Sequence, residues 1–503
     1  MNILKKLQKM SAIFILGFIM FSAIFTVPSS LFASNASYKD TGVLLISFGE
    51  PESMAEAYEG WTNFLKNYMG SMLSMMKMGF IVETAKEMTD YFENGTLLLD
   101  KDNPFSSKRS DNPNLVDAWG KPYYGNDYTF IPRPPKSLFE TLFKIPEMGD
   151  LVEFIVDMSG GMPSVYFVAD STESGNTPGK GFSNVWEYLS LTMYPMYEAM
   201  GDKNPALERE LWILDEVESR LSVNYPGLHI SRGFGAARPG YPHFLDTAED
   251  FVKSNNIKKL ILAPNYIVYS DFENPAGEIK HDLLKKGYDI EIVITDQIGG
   301  TEDFSKGVAE HIYDELEGNI NIGNTPIDSD KNVMVFLSHH GMMSTNMLLY
   351  DFDKEPYHEF AREAYDAAVS QIKELDEVKS WEGKFDALQI YPDMATGILD
   401  PFNKYLNIDE GMKIAKAQGY DYIINIPYEV GNSGYETLVG LRGAWGIEPK
   451  WDTYEEDNGL GTLMRKYRTT FLKDGINVII TDGWINGQID SYYTRIQEAM
   501  QGL

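Results

Sequence analysis

Histidine is scarce in this 503-residue chain, seven in all, yet two stand side by side at His339-His340. They follow an apolar run, Val333–Ser338 (VMVFLS), that reads as a buried strand. Alternation along a strand would send the two imidazoles to different sides, one toward a cleft and one into packing. Imidazole titrates near neutral pH and ligates Fe, Co, Ni and Zn. About 95 residues later comes a second informative loop, 429–438 (EVGNSGYETL), with Glu436 inside it. Two readings of Glu436 stand: it caps backbone N–H groups at a helix start, or it faces His340 across a cleft. A carboxylate opposite an imidazole can bind a cation or relay protons.

Arg232 and Arg238 fall in 231–239 (SRGFGAARP), read as a Gly-rich loop just after a strand containing Leu228 and Ile230. Ordinary ion pairing is one role for them; bidentate capture of substrate carboxylates is the other. Met69, Met72, Met75, Met76 and Met78 crowd one stretch. Such a cluster suits a core, an apolar interface or a soft-metal site. There is no Walker A motif, no G-x-G-x-x-G after a first strand, no G-x-S-x-G and no H-E-x-x-H. That pattern argues against ATP-dependent chemistry.

The elements that must position these residues are short apolar runs alternating with helical patterns, which points to parallel α/β architecture. Residues 42–48 (GVLLISF) form one buried strand ending in Gly49-Glu50-Pro51, and Val333–Ser338 forms another ending in His339-His340-Gly341. Residues 260–263 (LILA) end at Pro264, and 422–426 (YIINI) end at Pro427. Strand–loop pairs thus occur twice in the same order. Gly42 to Pro264 spans 222 residues and Asn332 to Pro427 spans 95, a difference of 127. The Pro-, Gly-, Asn- and Ser-rich segment 81–205 is about that long and reads as an insertion in the first half. Helices are expected over 246–253, 301–316, 357–375, 411–418 and 489–500, with 319–330 as the linker between halves. The expected organisation is a first lobe, 37–320, and a second, 326–503: two similar Rossmann-like lobes with parallel sheets flanked by helices. In such sheets ligands bind beyond the carboxyl ends of the strands.

Residues 1–36 read as a secretory signal. Lys5, Lys6 and Lys9 precede 17 uncharged residues, 11–27, and Ser34-Asn35-Ala36 offers a cleavage site. The expectation is an exported protein, secreted, periplasmic or tethered, with retention of the segment placing it near a membrane. Cleavage would remove three Lys and no acid, taking the formal charge from −31 to −34. So acidic a chain argues against nucleic acid as a partner and favours cations. With no Cys, the chain has no disulfide, thiolate metal site or cysteine nucleophile.

These residues together resemble the ferrochelatases and their class II, ATP-independent chelatase relatives. Gly49-Glu50-Pro51-Glu52-Ser53 is similar to the family's Gly-Thr-Pro-x-Ser turn, with Glu50 in place of Thr. Ile230-Ser231-Arg232 resembles its Arg-containing strand end, and 264–270 (PNYIVYS) its Pro-x-Tyr-Ser loop. Leu337-Ser338-His339-His340-Gly341 resembles Phe-Ser-x-His-Gly, Glu355-Pro356-Tyr357 resembles Asp-Pro-Tyr, and Tyr435-Glu436-Thr437-Leu438 resembles Ile-Glu-Thr-Leu. The similarity covers roughly 40–80 and 205–503. It implies insertion of a divalent metal, Fe2+ first and Co2+ next, into a tetrapyrrole macrocycle, with no tightly bound cofactor. By motif position His340 matches the catalytic histidine and metal ligand, and Glu436 its carboxylate partner. Arg232, Tyr269, Ser270 and Tyr435 would contact the ring, Arg232 through a propionate. The chain departs from the family at Gly434, where a His often stands, and at Gln389-Ile390-Tyr391, where Gln-Ser-Arg is usual. A non-catalytic extracytoplasmic protein that binds a tetrapyrrole or metal on the same fold is the alternative.

Overall fold

The structure, a computed structural model, describes residues 38–53, 203–268, 275–319, 322–339, 356–391, 406–428, 436–447 and 467–502. It also describes the strand pair 128–132 and 165–169 and a few single residues, among them 56 and 434. The N-terminal segment 1–36, the methionine stretch 69–78, Tyr269, Ser270, His340 and Tyr435 lie outside the described residues, as does the Glu436 side chain.

The first sheet has the order β4-β1-β5-β6, formed by His229–Phe234, Thr41–Ser47, Lys259–Pro264 and Glu291–Ile294, all parallel. The second has the order β10-β11-β9-β7-β8. Its strands are Thr469–Lys473, Ile476–Ile480, Tyr422–Pro427, Val333–Ser338 and Phe385–Ile390. Only β10 is antiparallel, joined to β11 by a hairpin. Counted along the chain, both sheets carry their four parallel strands in the order 2-1-3-4. Strands β2 (Tyr128–Pro132) and β3 (Val165–Ala169) pair only with each other, within the segment read as an insertion.

The two halves also repeat at the level of single hydrogen bonds. Asp40 O accepts from Lys258 N at 2.8 Å and Lys259 N at 3.1 Å; Asn332 O accepts from Asp421 N and Tyr422 N at the same distances. At the other end Pro264 pairs with Ile46 and Pro427 with Ser338. The next residues, Asn265 and Tyr428, donate back to Ile46 O and Ser338 O. Proline has no N–H to extend the ladder, so each third strand stops at the same register.

Burial explains the composition of the strands. β1 and β7 are buried over their whole length, as parallel strands covered on both faces must be. Leu44 and Ile46 face an outer layer with Phe251, Ile279 and Leu283, which lie on helices α2 (Phe244–Asn255) and α3 (Pro275–Lys285). Val43 and Leu45 face inward. There they join Val333, Val335 and Leu337 of the second sheet in one core, filled by α4 (Glu302–Glu317) and Ile489, Tyr492 and Ile496. α4 begins on Thr301, whose side chain accepts from Phe304 N. It buries Phe304, Val308, Ile312 and Leu316 as one stripe. The second sheet's outer face is covered by α6 (Ile408–Gln418) and α7 (Leu441–Ala444), with α5 (Pro356–Glu374) packed on α4.

The change of sheet falls between β6 and β7, and one core carries residues of both sheets. The helix α8 (Gln488–Gln501) returns to the first half and packs on α1 (Ala206–Asn224), α4 and β5. Among the described residues no helix is long and apolar enough to cross a membrane.

Candidate functional site

In a 2-1-3-4 sheet the crevice for ligands opens between the ends of strands 1 and 3, where the order reverses. Here those places are the ends of β1 and β5, and of β7 and β9.

At the end of β1 the chain forms a cradle around Glu210 of α1. The Glu210 carboxylate accepts from Ser47 Oγ and Gly49 N at 2.7 Å each, and from the backbone N–H of Glu50. Gly49 sits at φ 70°, and a Cβ there would lie 2.7 Å from Phe234, so glycine is required. Glu210 is buried, and burial pushes its carboxyl above the ordinary range despite these donors and nearby Arg238. Its neutral form is thus the one the fold prefers. The stability it confers is complete below the ordinary carboxylate pKa and is lost as pH rises through the folded value. Glu210→Gln, which keeps one oxygen for Ser47 and Gly49, is expected to flatten this dependence. In urea melts the stability difference in favour of the Gln variant should grow as pH rises from about 4.3. A constant difference would contradict the assignment.

Glu50 follows immediately. Its Oε1 accepts from Asn204 Nδ2, and Asn204 Oδ1 in turn accepts from Ala206 N in the first turn of α1. The Glu50 carboxylate crosses to the second half: a Cβ built on Gly434 would overlap Oε2 of Glu50. Gly434 stands two residues before Glu436, and its carbonyl accepts from Thr437 N at 3.2 Å and Leu438 N at 2.9 Å. Glu436–Gly440 is a π-helical turn running into α7. Such turns are rare and cluster at functional sites.

A buried polar path joins these two places through α1. Arg209, next to Glu210, forms a bidentate pair with Asp482 at 2.8 and 2.9 Å, both side chains almost fully buried. Asp482, just past β11, also accepts from Tyr467 N and Trp484 N at 3.1 Å. Arg442 is buried on the other side of it and donates to Thr437 O at 2.5 Å and Thr469 Oγ1 at 3.0 Å. Burial draws the Arg442 guanidinium down to about 10, opposed by Asp482. Arg442, which holds the Thr437 carbonyl beside Glu436, is thus within electrostatic reach of the carboxylate that holds α1.

At the end of β7, His339 is 1% exposed and sits against Tyr391 and Tyr428, ring centroids 5.5 and 5.1 Å away. Tyr428 Oη lies 2.7 Å from Ala364 O and 3.1 Å from Gly299 O. His339 is a packed, buried imidazole. Ser338 Oγ, Asn425 and Trp445 Nε1 form a closed hydrogen-bonded set beneath it.

The two arginines differ from expectation. Arg232 lies inside β4, opposite Leu45, and not in a loop beyond the strand. Its guanidinium is held by Asp215 at 2.6 Å and by Glu218 at 2.6 and 2.9 Å, both on α1. The SRGFG pattern reads as a loop, but Gly233 is glycine because Phe244 crosses it: a Cβ would lie 2.6 Å from the Phe244 Cα. Arg238 does reach the strand ends, where it donates to Gly49 O and Ala236 O and pairs with Glu56. It braces the β1 loop.

Glu210, Arg209, Asn204 and Asp482 were not singled out from the sequence. One signal was present for Glu210: it falls on the apolar stripe of α1 with Ala206, Leu207, Ile213, Leu214, Val217 and Leu221. A charge on a buried face requires partners. Among the described residues no group of three or more His, Asp or Glu is arranged to hold a metal ion.

Fold and site thus define an α/β protein of two mainly parallel sheets with repeated topology, in which Glu50 at the end of β1 reaches Gly434 of the second half. No family model and no curated protein matches the chain. A solved structure that matches is SirB from Bacillus subtilis with Fe3+, at 11% identity and a TM-score of 0.35, covering 59% of this chain and 91% of that one. That likeness is too distant to assign residues or an activity.

Proposed function

We propose that the protein is an ATP-independent chelatase that inserts a divalent metal, Fe2+ foremost and Co2+ next, into a tetrapyrrole. The observation that carries this reading is the convergence of the β1-end loop, through Glu50, on Gly434 at the start of the segment bearing Glu436. Glu50 stands in the turn that resembles the chelatases' Gly-Thr-Pro-x-Ser, and Gly434 just before the stretch that resembles their Ile-Glu-Thr-Leu. The reaction removes two pyrrole N–H protons as the metal enters. A bent macrocycle exposes its nitrogen lone pairs, so a cleft that favours the bent ring favours the transition state. In this reading His340 accepts a proton or ligates the metal, and Glu436 takes the other proton or the cation. Tyr269, Ser270 and Tyr435 contact the macrocycle. Arg232 reaches a propionate only by exchanging it for Asp215 and Glu218. The protein works outside the cytoplasm, delivered by its first 36 residues.

The test is anaerobic incubation of the protein with Fe(II), Co(II) or Ni(II) and a panel of tetrapyrroles, followed by absorbance. Insertion is expected, and His340→Ala and Glu436→Gln should abolish it. Tight tetrapyrrole binding with no insertion for any pair would leave a binding protein on the same fold.

A further inference from the structure

We propose that Arg442 is a positioning residue: its guanidinium clamps the π-helical turn 436–440 to the start of β10 and so fixes the backbone that carries Glu436. The inference deepens the chelatase reading and rests on it for the role of Glu436.

Geometry is the first argument. Arg442 directs its three nitrogens to three residues: Nη1 to Thr437 O at 2.5 Å, Nε to Thr469 Oγ1 at 3.0 Å and Nη2 to Tyr467 O at 3.4 Å. Thr437 belongs to the turn, next to Glu436, while Tyr467 and Thr469 flank the entry to β10. A planar fork holds both segments at once, which the single ammonium of lysine does not.

The far side of the clamp is itself fixed. Tyr467 N donates to Asp482, the carboxylate paired with Arg209 of α1. Arg468 forms a bidentate pair with Glu315 of α4 at 2.8 Å for each bond, and Glu315 is buried. The turn is thus referred to two long helices of the first half.

Cost is the third argument. Arg442 is 0% exposed, and a side chain serving only to fill that space has no need of charge. Thr437 is buried too, so its carbonyl requires a partner, and the guanidinium is one.

The chain has no cysteine, so E436C gives the full-length protein a single attachment point for a nitroxide label. V223C, on the exposed side of α1, is the control. The label at 436 should be strongly immobilised, and R442K should free it while leaving the line shape at 223 unchanged. An unchanged line shape at 436 overturns the inference. So does loosening at both positions, which is what a merely structural arginine would give. In a chain that keeps Glu436, R442K should lower kcat for metal insertion by about tenfold or more, with KM for the tetrapyrrole within about twofold. An unchanged kcat beside a freed label overturns the inference. If R442K does not fold, T469V removes one acceptor and decides: a freer label at 436 supports the inference, an unchanged one overturns it. Wild type that metallates no tetrapyrrole removes the chelatase reading, while the label still decides whether Arg442 holds the turn.

Discussion

Replacing Arg209 by alanine is expected to destabilise the protein by about 3–5 kcal/mol, because Asp482 is left as a buried charge without its cation. The pair is bidentate and both side chains are 2% exposed or less. Tyr467 N and Trp484 N still donate to Asp482, but neutral donors do not replace the bidentate cation for an ionised carboxylate out of water. The effect extends beyond stability, since Asp482 also faces Arg442, which holds the carbonyl of Thr437 beside Glu436. The double variant Arg209→Met, Asp482→Leu is expected to recover most of the loss, because two apolar groups of similar volume leave no charge unpaired. Urea denaturation of the singles and the double, read as a cycle, checks this. Equal losses for Arg209→Ala and the double would mean that packing, not charge, dominates.

Trp445→Ala is the second large effect, at about 3–5 kcal/mol for a fully buried aromatic. Trp445 stacks on Phe336 of β7, with ring centroids 5.9 Å apart, and meets Phe471 of β10 edge-on. Its Nε1 donates to Asn425 Oδ1 at 2.9 Å, and Asn425 is paired with Ser338, the last residue of β7. Truncation opens a cavity and removes a donor beneath the strand end that leads into His339-His340. Trp445→Phe keeps most of the packing and should cost no more than about 1–2 kcal/mol for the lost hydrogen bond. Thermal melts rank the three proteins. On the chelatase reading, the insertion rate of Trp445→Ala falls below that of Trp445→Phe.

The central strands were legible because they are buried on both faces and write themselves as continuous apolar runs. β1, β5, β7 and β9 were all read this way, with Pro264 and Pro427 marking their ends. Strands β6 and β8, at sheet edges, were not read. EIVI and FDALQI are half-exposed, and their alternation is too weak to separate from loop. β10 and β11 did carry a signal that went unused: Asp474-Gly475, both at positive φ, is a two-residue hairpin turn. Of the His pair, His339 is buried, as one of the two imidazoles was expected to be, and His340 lies outside the described residues. Glu210 and Arg209 were harder to see, since their partners lie 163 and 273 residues away. No local pattern encodes a pairing of that separation.

That separation has a consequence for how the chain becomes a protein. The first sheet's inner face is covered in part by α8, made about 280 residues after the start of α1. As the polypeptide leaves the ribosome, the first half cannot finish folding. The face bearing Val43, Leu45, Ile261 and Ala263 stays incompletely covered until α8 emerges. Such late closure slows folding and leaves apolar surface exposed on the nascent chain in the meantime.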